Sequence, residues 1–195
     1  RAIALKHEKL RIESFDKLKL CAYFFPADTP TAKTVICVHG YRGSGLHDHS
    51  RNLFFYHECG YNVLIPDDRA HGESEGRYIG FGWLDRLDCV SWCKYLADFY
   101  GGDCKILLHG ISMGSAAVIC ASGERPPALR GVVSDCSYTS GFEQFRHVTR
   151  NYLHIPEFPF LYTTALLARI VCGYNLRKCS PLEAITHADV PYLII

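Results

Sequence analysis

The chain has 195 residues, 48% of them hydrophobic and 21% charged, with 21 Lys and Arg against 20 Asp and Glu for a formal net charge of +1. That profile suits an ordinary globular domain long enough to bury one sizeable core. No long stretch is dominated by one sign of charge, so the field that draws in nucleic acid is missing and no nucleic-acid partner is expected.

The sequence starts at Arg1 rather than Met, and Ala2–Leu5 is too short for the apolar core of a signal peptide. Glu8–Ser14 and then Lys17–Phe25 alternate polar and apolar residues, which predicts an antiparallel pair of half-buried strands. Thr34–Val38 (TVICV), Tyr61–Ile65 (YNVLI), Lys105–Leu108 (KILL) and Gly131–Ser134 (GVVS) are different: short, continuous apolar runs. Strands covered by helices on both faces of a parallel sheet have that pattern.

Helices are expected between these strands. One spans Leu46–Cys59 and closes at Gly60, a fitting C′ glycine. In the next, Trp83, Leu84, Leu87, Val90, Leu96 and Phe99 recur at helical spacing, with Asp85, Arg86, Asp88 and Lys94 on the opposite side, until Gly101-Gly102 stops it. A last apolar run covers Tyr192–Ile195. The order β-β-β-α-β-α-β-α-β predicts an α/β fold over 1–195, a mostly parallel central sheet flanked by helices with right-handed crossovers.

An excursion from about Gly141 to Asp189 is too long for a plain crossover. His154-Ile155-Pro156-Glu157-Phe158-Pro159 breaks helix twice, and the apolar stretch Phe158–Tyr174 follows. With Arg169, two threonines and Pro159 inside it, that stretch falls short of the roughly 20 clean residues a membrane span needs. It reads as a buried or lid helix, and membrane association is not expected. Residues 141–189 thus form either a helical cap over a site or an elaborated surface helix pair.

The ten cysteines include no Cys-x-x-Cys, and Cys37 and Cys120 sit inside apolar runs where a thiol acts as a small hydrophobe. A core of this size needs no disulfide scaffold. No Cys/His cluster has zinc spacing, so no metal and no other cofactor is expected. Reduced cysteines point to the cytoplasm.

The strongest chemical signal is Gly110-Ile111-Ser112-Met113-Gly114, directly after the strand KILLH and directly before the small-residue helix SAAVIC. In that setting G-x-S-x-G is a nucleophile elbow: flanking glycines allow the sharp bend, and the serine hydroxyl stands at a helix N-terminus. Ser112 is the expected nucleophile, the alternative being a serine that serves only as an N-cap. A nucleophilic serine needs amide donors for the oxyanion. Met113 supplies one and Tyr41, in His39-Gly40-Tyr41-Arg42-Gly43 after TVICV, the other, with Gly40 and Gly43 letting that loop come close. Asp67-Asp68-Arg69-Ala70-His71-Gly72-Glu73-Ser74-Glu75-Gly76 reads mainly as a self-bonded turn shaping the site wall, with no chemical role for His71.

Taken in order, the strand–HGY loop, D-x-R-x-H-G-x-S, G-I-S-M-G and the D-C-S-Y after GVVS resemble an α/β-hydrolase. The likeness is greatest to bacterial serine hydrolases of the serine-aminopeptidase-like and esterase-like branch, and it covers nearly the whole chain. The resemblance implies a triad ordered Ser, then Asp or Glu, then His after the last strand. Here Val190–Ile195 matches the start of the strand preceding the acid, so the expectation is a chain truncated before the catalytic acid and His. Asp135, ending GVVSD, is the alternative acid if it is not simply structural; His187 precedes the last run and is not promoted.

The expected function is hydrolysis of a small-molecule ester or amide by acyl transfer through Ser112, nearly inactive in this form. A binding module of the same fold with Ser112 unused, and a peptidase acting on short peptides, are the alternatives. The sequence carries no sign of the oligomeric state.

Overall fold

A computed structural model describes residues 5–195, so all of the Ala2–Leu5 stretch except Leu5 lies outside the described residues. Its strands are β1 (Glu8–Glu13), β2 (Lys19–Phe25), β3 (Lys33–Val38), β4 (Asn62–Pro66), β5 (Lys105–Ile111), β6 (Leu129–Asp135) and β7 (Tyr192–Ile194). They form one seven-stranded sheet in the order β1-β2-β4-β3-β5-β6-β7. β1 pairs with β2 and β2 with β4 antiparallel; every other pairing is parallel. The predicted strands are all present, with β5 three residues longer than KILL, so that it carries His109, Gly110 and Ile111 up to the elbow.

Alternation along the parallel strands divides the core in two. Ile36, Val38 and Leu64 face the same side as Trp92, Leu96, Val118 and Ala121, while Val35, Cys37, Val63 and Ile65 pack with Leu53 and Tyr56 on the other. The first layer is built by α3 (Asp85–Tyr100) and α4 (Met113–Gly123), and the second by α2 (Ser50–Glu58).

Two helix expectations need correction. Leu46–Cys59 is split into α1 (Gly45–Asp48) and α2, because His49 leaves helical geometry (φ −100°, ψ 15°) and its buried ring donates from Nε2 to the Val38 carbonyl (2.9 Å). The Gly60 stop stands, at φ +77°. In α3, Asp85 and Asp88 lie on the buried face with Cys89, Trp92, Cys93 and Leu96, whereas Phe99 is exposed. Apolar spacing misplaced the two aspartates because their partners, the Gly82 amide and the Arg69 guanidinium, come from outside the helix.

The excursion after β6 holds α5 (Gly141–Asn151), α6 (Glu157–Val171) and the short α7 (Pro181–Ala184). Phe142, Leu161, Tyr174 and Leu176 make a small separate core there. Of the two readings of α6, a buried helix or a lid helix, the buried one does not hold: only Leu161 of it is buried, while Phe158, Leu166, Leu167 and Ile170 face solvent. No helix among the described residues is long and apolar enough to cross a membrane. All ten cysteines are free thiols.

Trp92 is the largest fully buried side chain and joins α3 to the sheet. Trp92→Ala should cost about 3–5 kcal/mol in chemical denaturation; a loss below about 1 kcal/mol would show that this layer collapses around the cavity without penalty.

Candidate functional site

The strand order fixes where the chemistry can sit. From β3 the chain moves to β4 on one side and then to β5 on the other, so the crevice beyond the ends of β3 and β5 is a topological switch point. The segments 39–43 and 112–114 leave those two ends.

Ser112 lies between β5 and α4 at φ +55°, ψ −114°, a region L residues rarely occupy. Its N–H donates to the Asp135 carbonyl (2.9 Å), and its carbonyl accepts from Ala116 N–H (3.2 Å), so the bend is tied at both ends. It occupies the N-cap position of α4, yet its hydroxyl makes no capping hydrogen bond. The flanking glycines are required by contact. A methyl group on Gly110 would run into the Gly114 carbonyl, and one on Gly114 into the Val38 and His39 carbonyls.

The loop after β3 comes equally close: a Cβ on Gly40 would stand 3.5 Å from Ser112 Cβ. Its amides are largely committed. Gly40 N–H donates to Asp48 Oδ2 (3.1 Å), Arg42 N–H to His71 Nε2 (3.2 Å) and Gly43 N–H to the Gly40 carbonyl (3.0 Å). Among the described residues no hydrogen bond takes the N–H of Tyr41 or of Met113. The two amides named from sequence are those left free beside Ser112.

Asp67–Gly76 is the self-bonded turn expected. Asp67 Oδ2 accepts Glu73 N–H (2.9 Å), Ser74 Oγ donates to the Asp67 carbonyl (2.6 Å) and Ser74 N–H to the His71 carbonyl (3.0 Å). Because Arg42 N–H must donate, His71 Nε2 is the unprotonated nitrogen and Nδ1–H points to the Arg69 carbonyl (3.0 Å). His71 thus props the 39–43 loop.

A cavity of about 210 Å³ opens at Ser112, lined by Tyr41, Phe81, Met113, Tyr138, Gln144, Phe145 and Val148. Three of these come from α5, and none from α6, whose Phe158, Phe160, Leu161, Tyr162, Leu166 and Leu167 all lie away from the cavity wall. Among the described residues no histidine lines it. Asp135 meets the elbow through its backbone carbonyl, and among the described residues no hydrogen bond joins its carboxylate to a histidine. His187 borders a different cavity, beside Trp83 and Glu183.

One Cys/His cluster that spacing could not show does form: Cys37, His49 and His109, buried, with ligand atoms within 4.8 Å of one another. Its hydrogen bonds are those of a core. His49 uses Nε2 on the Val38 carbonyl (2.9 Å) and Nδ1 on Asn52 (3.1 Å), while His109 Nδ1 meets the Tyr56 hydroxyl (3.0 Å). Both nitrogens of His49 are therefore used, leaving two donors, fewer than the three protein ligands of the usual zinc site.

No family model matches the chain. It is 27% identical over 198 residues to the uncharacterized protein YqkD of Bacillus subtilis (strain 168), covering 94% of this chain and 64% of that protein. Among solved structures, an esterase of Pyrococcus furiosus, PF2001, superposes with a TM-score of 0.75 at 27% identity, over 98% of this chain and 70% of that one. An alpha-beta hydrolase from Vibrio vulnificus gives a TM-score of 0.70 at 20% identity, over 96% of this chain and 62% of that one. The chain has an α/β-hydrolase fold. It spans less than two thirds of the length of its Bacillus relative.

Within this α/β-hydrolase fold, sequence reasoning missed Phe81, Tyr138, Gln144, Phe145 and Val148 at the site. The signal available was Gly80-Phe81-Gly82, an aromatic held between two glycines. It also missed a buried group of acids behind the site. Arg69 binds Asp88 through Nε and Nη2 (2.6 and 2.7 Å) and Asp16 through Nη1 and Nη2 (3.0 and 3.2 Å). Asp68 Oδ2 and Asp85 Oδ1 are buried without a hydrogen-bond partner among the described residues.

Burial raises the pKa of Asp85 and, helped by the neighbouring Asp85 and Asp88 charges, carries that of Asp68 well above the carboxylate range. Burial also pushes Asp88 up to about 6 against the pull of Arg69. These native acids hold protons that the unfolded chain releases, so each contributes stability that is lost as pH rises through its native pKa. Burial lowers the pKa of His39 and His49, and that of His109 to about 4, which works the other way: their contribution is lost as pH falls below the unfolded histidine value. Comparing variants isolates the acid. Asp85→Asn keeps an oxygen for the Gly82 amide and cannot ionise, so its stability relative to wild type should improve as pH rises above the ordinary carboxylate range. A difference that does not change with pH in parallel urea titrations would refute that assignment.

Proposed function

We propose that this protein is a serine hydrolase that cleaves small esters by acyl transfer, with Ser112 as nucleophile. The observation that carries this is the hydroxyl of Ser112: set at φ +55° on a bend tied from both sides, at a helix N-cap it does not cap, and open to an apolar cavity. A serine serving only as a cap would spend its hydroxyl on the helix amides. The resemblance of the fold to PF2001, which is called an esterase, favours an ester over a peptide bond, as does the small cavity.

In this reading Ser112 Oγ bonds to the ester carbonyl carbon and the Tyr41 and Met113 amides hold the oxyanion. The bond to the leaving alcohol then breaks, the alcohol takes the serine proton, and water releases the acid. α5 forms the cap part of 141–189, since its side chains wall the cavity. The proton needs a base, and the described residues bring no imidazole to Ser112. These 195 residues alone are expected to retain only the residual turnover that an oxyanion hole and binding leave when a triad base is absent.

In the protein at its full natural length, a fluorophosphonate probe should label Ser112 and nothing else, and Ser112→Ala should take no label. Labelling that survives the substitution would sink the reading. The oxyanion assignment has its own test, since proline is tolerated at the first position of a helix and removes its N–H. Met113→Pro should lower kcat for p-nitrophenyl esters by about 10²–10³-fold relative to Met113→Ala, which matches its loss of packing. Equal rates in the two variants would clear Met113 of that role.

A further inference from the structure

Phe81 has a backbone that its side chain does not favour. Its φ is +47°, where a bulky residue is a genuine outlier that persists only if its surroundings over-determine it. Three side chains do so, one close in sequence and two distant. Asp85 Oδ2 accepts the Gly82 N–H (2.6 Å), while the Phe81 carbonyl accepts both the Tyr138 hydroxyl (2.7 Å) and the Cys179 thiol (3.0 Å). Gly82 is fixed by space as well: at φ +81°, a Cβ there would stand 3.1 Å from Tyr138 Oη and 3.2 Å from Ala116 Cβ.

This strain places an aromatic ring at the mouth of the site. The Phe81 ring stacks on Tyr41 (centroids 5.3 Å, interplanar angle 24°) and meets Phe145 edge-on (4.9 Å, 67°). It is the wall residue that joins the loop after β3 to α5. The cavity it bounds measures about 210 Å³ and is lined by no charged side chain. An apolar cavity of about 150 Å³ takes up benzene, so this one suits a group of that size or a little larger. A charged group would lose its hydration there without finding a partner.

We propose that Phe81 sets the acyl-size limit of the Ser112 site, restricting it to esters of small uncharged acids, aryl or short aliphatic. The proposal rests on the reading of Ser112 as nucleophile. A longer chain must displace the Phe81 ring, whose backbone is pinned by the two hydrogen bonds to its carbonyl and whose face lies on Tyr41.

The test is kcat/KM on p-nitrophenyl acetate, butyrate, hexanoate and octanoate, using the protein at its full natural length. Wild type is compared with Phe81→Gly, Phe81→Leu and Phe81→Trp, with fluorophosphonate labelling of each. Glycine adopts positive φ without penalty, so Phe81→Gly removes the ring while relieving the backbone. One methylene in an apolar pocket is worth about 10–200-fold in discrimination. The octanoate-to-butyrate ratio should therefore rise at least about 10-fold in Phe81→Gly, rise less in Phe81→Leu, and fall in Phe81→Trp. Ratios within about twofold of wild type in variants that still label at Ser112 would overturn the role of Phe81 and leave the nucleophile standing. Absence of label at Ser112 in wild type would overturn both.

Discussion

The site depends on one close approach, where the turn after β5 lies against the carbonyls that end β3. Gly114 has no room for a methyl group beside Val38 and His39, and Gly110 none beside Gly114. Contact at that distance locks α4 to the sheet and leaves Ser112 no ordinary backbone conformation. Its N–H is held by Asp135 and its φ forced positive, so its side chain projects from the crevice instead of folding back over the helix. The parallel pairing of β3 with β5, from Lys33 opposite Lys105 to Val38 opposite Gly110, brings the two loops level with each other. Everything the site can do follows from that registration.

Behind the site lies a second constraint, electrostatic in kind. Arg69 is nearly excluded from water and satisfied by two carboxylates, one from α3 and one from the β1–β2 turn. Removing one partner of such a group leaves a buried charge uncompensated, which costs far more than the pair contributes. The Asp67–Gly76 turn that carries Arg69 also sends His71 Nε2 to the Arg42 amide, and its Asp68 N–H donates to His39 Nε2 (3.1 Å). The charged turn is a buttress for the loop after β3, and its protonation state bears on the stability of that loop.

The legible parts were those where local pattern and global fold agree. Continuous apolar runs predicted the parallel strands, because burial on both faces leaves no polar position to confuse the period. Gly110 and Gly114 marked the elbow, because the approach that excludes a side chain must be written as glycine. Most of what failed involved partners remote in sequence. Asp88 reads as solvent-facing because nothing near it shows that Arg69 waits across the fold, whereas Asp85 turns inward to a local partner, the Gly82 amide. Cys37, His49 and His109 meet only because β3 and β5 are neighbours, and Cys37 stands opposite His109. The apolar run in α6 suggested burial, but composition does not say what a helix packs against, and most of its large side chains are exposed.

The same division separates the backbone of the site from its cavity wall. The elbow, the free amides and the sheet beneath them are fixed by backbone contacts. The cavity wall is built otherwise. Tyr41 and Phe81 sit on loops, and Gln144, Phe145 and Val148 on a helix of the excursion after β6, and the Phe81 ring touches those of Tyr41 and Phe145. A change in any of them alters the volume beside Ser112 and leaves the elbow contacts intact. Phe81 is the exception that links the two layers. Its ring belongs to the wall, but its strained backbone is held through Asp85 and Tyr138 to the fold itself. Strain is retained where several elements enforce it together, and here they fix one ring against the cavity beside Ser112. On the proposed reading, selectivity at Ser112 would be a property of one backbone conformation as much as of the residues that line the cavity.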